Sequence, residues 1–174
     1  DDLSSVASGK PNPQGYRFVE FPIYNIVSFF TDKLFPGYSV EYSGRLTSVF
    51  MSLGSLIFIY LLTKKYAGHA TGLWAGFFFA ILPYNIFWSR VILPEPTLVF
   101  LCLGMLFSFD RWVSTEKKRF WVLSVVFAAL ALLVKFTAVF FAIPMVYLAW
   151  RKWGFKLFIN PLLYVYPVLM AIPF

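Results

Sequence analysis

Leu46–Thr63 is a run of 18 residues without a charged side chain, about 27 Å long if helical. Ala70–Ser89 is a second such run, and Pro96–Phe109 is a third, only about 21 Å by the same rise. Phe120–Phe174 then stays apolar except at Lys135 and across Arg151–Lys156. Runs of this kind leave little choice, because only helices and closed barrels satisfy every backbone polar group in hydrocarbon. Composition agrees: 60% of the 174 residues are hydrophobic and 13% charged. Soluble domains run at roughly 45–50% apolar and about 25% charged. A soluble enzyme, a nucleic-acid module and a disordered tail are thereby excluded. The class expected is all-α, a polytopic transmembrane helix bundle.

Periodicity adds one element of a different kind. Ile23, Ile26, Val27, Phe30 and Leu34 recur at helical spacing, with Asn25, Ser28 and Asp32 opposite. This predicts an amphipathic helix over about 20–34, too short to span and suited to the interface plane. Residues 1–45 are read as an external loop carrying that helix. Spans follow at about 46–63, 70–89, 96–109, 120–134, 136–150 and 157–174. Pro83 bends the far end of the second. Gly68, Gly72 and Gly76, spaced by four, predict a helix-packing stripe.

Charge orients the bundle. If Lys135 caps a hairpin, the clusters at Lys64/Lys65, Arg111–Arg119 and Arg151–Lys156 share one side. That side holds nine of the fifteen Lys and Arg, with Asp110 and Glu116 as its only acids. The positive-inside rule makes it cytoplasmic. Short basic clusters between apolar runs suit loops, so the net charge of +7 implies no nucleic acid. Trp88, Trp112, Trp121, Trp150 and Trp153 fall at predicted span ends, where indole rings favour the headgroup level. Asp1 without a start methionine, and a chain end inside an apolar run, give the expectation of a piece of a longer protein, inactive by itself. The location expected is the plasma (inner) membrane, multi-pass, with the active face non-cytoplasmic.

The opposite side receives Asp1, Asp2, Glu20, Asp32, Glu41 and Glu95. Glu95 lies between Pro94 and Pro96, and Pro96 suits the first position of the third span. The residue before a proline is pushed to extended geometry, which places Glu95 just outside the helix. It is either a functional carboxylate at the membrane surface or an ordinary helix start in the headgroup zone. Glu20 opens the amphipathic helix. An acid there could ligate a metal, orient a sugar hydroxyl, or only serve the helix dipole. Arg45 and Arg90 end the first two spans, where a planar fork suits phosphate oxygens and snorkelling to lipid is the alternative. Lys135 either holds a phosphate or caps a turn. Cys102 reads as a small buried hydrophobe and His69 as part of a solvated loop. No nucleophile elbow, zinc-protease helix, P-loop or paired-cysteine motif is present.

The succession Phe18-Val19-Glu20-Phe21-Pro22-Ile23-Tyr24, Gly44-Arg45-Leu46-Thr47-Ser48, Ser89-Arg90 and Pro94-Glu95 resembles the GT-C class of membrane glycosyltransferases. Closest in flavour are bacterial relatives of the protein O-mannosyltransferases and the aminoarabinose transferase. The resemblance implies an enzyme that moves a sugar from a polyprenyl-phosphate donor to an acceptor on the non-cytoplasmic side. The partners it implies are a lipid-linked sugar donor and a protein, lipid or glycan acceptor. It also implies catalytic roles for Glu95 and Glu20, and donor-phosphate binding by Arg90 and Lys135, with Arg45 a further candidate. In some members a divalent metal ion is bound near the position matched by Glu20. The position that is Lys in the aminoarabinose transferases is Phe21 here. A multispanning transporter or lipid flippase is the alternative, and it would need ionisable residues near mid-bilayer.

Overall fold

A computed structural model describes residues 22–37, 39–155 and 161–171. The described residues form helices and no strand. In chain order these are α1 (Ile23–Leu34), α2 (Val40–Ala67), α3 (His69–Ile81), α4 (Pro83–Trp88), α5 (Glu95–Thr115), α6 (Lys118–Val134), a 3₁₀ segment (Phe136–Phe141), α7 (Ala142–Trp153) and α8 (Pro161–Ala171). The protein is an all-helical membrane bundle. Two of its helices, α2 and α5, are long and apolar enough to cross a membrane.

Local chemistry sets the breaks. Ser39 caps α2, its hydroxyl accepting from the Tyr42 N–H at 3.3 Å. Gly68, at φ 89°, ends α2 and starts α3, a backbone setting that a side chain would strain. Pro83 lacks the N–H that would continue α3, so the expected second span divides into α3 and α4. At Lys135 the backbone is extended and α6 stops. The third apolar run extends well past the boundary expected from its charges. α5 continues through Asp110 and Arg111 to Thr115, because Asp110 is neutralised inside the bundle.

α5 is the central helix. α2 runs parallel to it, α6 antiparallel, and α7 returns alongside it. Close approach needs small residues at the crossings. A Cβ on Gly54 would sit 2.4 Å from the Phe100 ring, and one on Gly104 3.0 Å from Phe127. Gly72 faces α2 in the same way, 3.1 Å from Tyr60, whereas Gly76 has ordinary room beside Leu56 and Gly68 meets open space and serves only the turn. Phe109, Trp112, Val125, Ala128 and Met145 form the core between α5, α6 and α7. Trp112 and Trp121 belong to this core and not to a headgroup belt, the former stacked on Trp153 with centroids 5.2 Å apart.

Helix α1 rests on the start of α2, on a face shifted from the one its apolar spacing suggests. Tyr24 and Thr31 point inward. The Tyr24 hydroxyl donates to the Gly44 carbonyl at 2.7 Å, and Thr47 Oγ1 donates to Thr31 Oγ1 at 2.9 Å. Burial pushes the Tyr24 phenol above its ordinary pKa, partly offset by Ser48, so it stays a proton donor. Ile26, Phe29, Phe30 and Leu34 remain exposed, an apolar face free for lipid.

At one end of the bundle Asp110 is 2% exposed and locks α2 to α5. Lys65 Nζ lies 2.5 Å from Asp110 Oδ2, and the Tyr66 hydroxyl donates to Oδ1. Lys65 also donates to Ser114 Oγ at 2.5 Å. Truncating Asp110 strands both donors at a helix crossing. Asp110→Ala is expected to cost about 2–3 kcal/mol, read as a lower thermal midpoint in detergent. Adding Lys65→Ala should cost less than the two single changes summed.

Candidate active site

The opposite end of the bundle collects most of the residues singled out from the sequence. Helix α5 begins at Glu95 itself, with Pro94 as its cap and Pro96 second. The preference of pre-proline residues for extended geometry yields by one position, within the usual spread of helix ends. Glu95 is therefore the acid of the first turn, where free N–H groups face it. Antiparallel packing of α6 on α5 brings the break after Val134 to the same level. Lys135 Nζ lies 2.6 Å from Glu95 Oε1, across 40 residues of sequence.

The pair is half-buried, with side-chain exposures of 29% for Lys135 and 28% for Glu95. The two carboxylate oxygens differ. Oε1 carries the ion pair, whereas Oε2 is shut from solvent and has no hydrogen-bond partner among the described residues. Thr97 Oγ1, in the same first turn, is likewise buried and unmatched among the described residues. Unsatisfied buried oxygens are uncommon, and two of them lie in this first turn, with Ser108 Oγ a third further along α5.

Arg90 and Arg45 lie at this end but outside the pair. Arg90 follows the short helix α4, in the turn closed by its own N–H on the Phe87 carbonyl at 3.1 Å. The next residue, Val91, accepts from Ser48 Oγ at 2.9 Å, and Ile92 packs on Gly44 beside Arg45. Both arginines are exposed, and neither makes an ion pair among the described residues. Both are more exposed than Glu95 and Lys135. Glu20, with the metal role expected of it, lies outside the described residues. Among the described residues no group of three His, Cys, Asp or Glu could hold a metal ion.

The cations expected on one side do gather at the other end. Lys65 reaches Asp110, Lys152 lies 3.7 Å from Glu116, and the Arg151 guanidinium sits over the Tyr66 ring. His69 is held by Tyr60, whose hydroxyl is 2.9 Å from Nδ1. What reading the sequence missed was the pairing of Lys65 with Asp110. The signal for it is the apolar spacing of Phe109, Trp112 and Val113, which carries helix α5 through the acid.

A charge-exchange pair tests the contact between Glu95 and Lys135. Glu95→Lys and Lys135→Glu should each lower the thermal midpoint, and the double exchange should recover it, with a coupling of about 1 kcal/mol. Additive losses would deny direct contact.

Residues 22–174 match the family model described as dolichyl-phosphate-mannose-protein mannosyltransferase. No curated protein and no solved structure matches the chain.

Proposed function

The chain belongs to the dolichyl-phosphate-mannose-protein mannosyltransferase family, a family of membrane glycosyltransferases using polyprenyl-phosphate sugars, and on that premise we propose that Glu95 and Lys135 form the reacting centre, on the non-cytoplasmic face. The observation supporting this is the ion pair that leaves one Glu95 oxygen unoccupied at the bundle end away from the basic clusters.

Transfer requires three things of a protein. An acceptor hydroxyl must lose its proton as its oxygen bonds to the anomeric carbon. The bond from that carbon to the lipid phosphate must break with charge moving onto phosphate, and the cationic sugar-like transition state must be stabilised. The Glu95 carboxylate takes the acceptor proton. Lys135, with Arg90 and Arg45 on the rim, faces the leaving phosphate. Arginine's planar fork suits two phosphate oxygens, whereas lysine acts as a point charge. The exposed apolar face of α1 lies along the route by which a lipid-borne donor would arrive. A divalent ion near Glu20 would add a further charge for the donor phosphate, and the acceptor is a protein, lipid or glycan hydroxyl.

In the intact protein, Glu95→Gln should reduce transfer from a polyprenyl-phosphate sugar by about 10²–10⁴-fold with unchanged protein level. Full activity in that variant would remove Glu95 from the centre.

A further inference from the structure

Beside the Asp110 lock, α2, α5 and α7 enclose a cleft of about 350 Å³, lined by Leu62, Tyr66, Leu106, Pro144, Tyr147 and Leu148. On α7, Pro144, Tyr147 and Arg151 share one face by their spacing of three and four. Pro144, Tyr147 and Leu148 line the cleft over about 6 Å of α7, and Arg151 stands one turn further on. The cleft wall is almost wholly apolar, and Arg151 stands at its edge, the guanidinium over the ring of Tyr66, which lines it.

The cations at this end of the bundle are not equivalent. Lys65 is committed to Asp110 and Ser114, and Lys152 is balanced by Glu116. Arg151 makes no ion pair among the described residues and only overlies the Tyr66 ring, 5.9 Å from its centroid. Asp110, which shares Tyr66 with it as a neighbour, is already bound by Lys65 and Tyr66. A guanidinium at the top of an apolar slot asks for an occupant that joins an anion to a hydrocarbon chain. A helix of another segment would fill the slot and leave the charge unanswered.

We propose that this cleft is a binding site for an anionic phospholipid, one acyl chain lying between α2 and α7 and the phosphate on Arg151. The remaining cations of this end, Lys64 and Lys117 among them, favour a net-negative headgroup over a zwitterionic one. The site is separate from the Glu95 centre, at the other end of α5. The lipid would brace α7 against the α2–α5 pair where Asp110 already fixes the crossing.

The full chain, purified in detergent, is titrated with phosphatidylglycerol or phosphatidylcholine and the retained lipid counted by native mass spectrometry. Wild type should retain phosphatidylglycerol preferentially. Arg151→Gln should weaken that retention about tenfold, and Arg151→Lys should weaken it less. Leu148→Trp, which fills the slot without touching the charge, should lower retention as well. Equal retention of the two lipids overturns the proposal, as does unchanged retention in both Arg151→Gln and Leu148→Trp. Cross-linking of Leu148→Cys to a protein segment in place of lipid also overturns it.

Discussion

A carboxylate carried into an apolar bundle must be met by a cation, and this chain meets that constraint at both ends of one helix. At the end of α5 nearest Thr115, Lys65 of α2 answers Asp110. At its start, Lys135 answers Glu95. The two pairs fix α5 lengthwise against different neighbours, so register along the bundle is set by charge while lateral packing is set by small residues. Gly54 and Gly104 bring α2 and α6 close enough for these side chains to reach. Without that approach, either acid would sit in hydrocarbon unmatched, at a cost of several kcal/mol.

The pairs differ in a way that bears on function. Asp110 is closed off and its oxygens are both taken, by Lys65 and by the Tyr66 hydroxyl. Such an arrangement holds helices together and has nothing left to offer a ligand. Glu95 is half-buried, and its second oxygen is enclosed but unmatched among the described residues. The first pair is complete in itself, and the proposal of a reacting centre rests on the incompleteness of the second. The family to which the chain belongs transfers sugars from a lipid phosphate, chemistry that needs a carboxylate and cations side by side.

Much of the architecture was legible from pattern alone. Long uncharged runs point to membrane helices, and Pro83 announces the break it makes, whereas Gly68, expected in a packing stripe, ends α2 instead. Helix α1 was visible from its period, but not the face it packs. Tyr24 and Thr31 turn inward because their hydroxyls find the Gly44 carbonyl and Thr47, a preference that apolar spacing does not carry. Asp110 reads as a loop residue because charge normally ends a span, and only Lys65 and Tyr66 of a distant segment make it a core residue. Glu95 and Lys135 each stood out by setting, one between prolines and the other alone in an apolar run. Nothing local joins two residues 40 positions apart, so their contact emerges only from the antiparallel packing of α5 and α6.

On the proposed reading the two ends of α5 have distinct roles, one closing the bundle and the other receiving a saccharide. A structure of the full chain bound to a polyprenyl-phosphate sugar examines that division most directly. The account predicts the saccharide beside Glu95, with an oxygen within hydrogen-bond distance of Oε2 and the donor phosphate facing Lys135. A donor seated at the Lys65–Asp110 end, or with no sugar oxygen near Glu95, would contradict it.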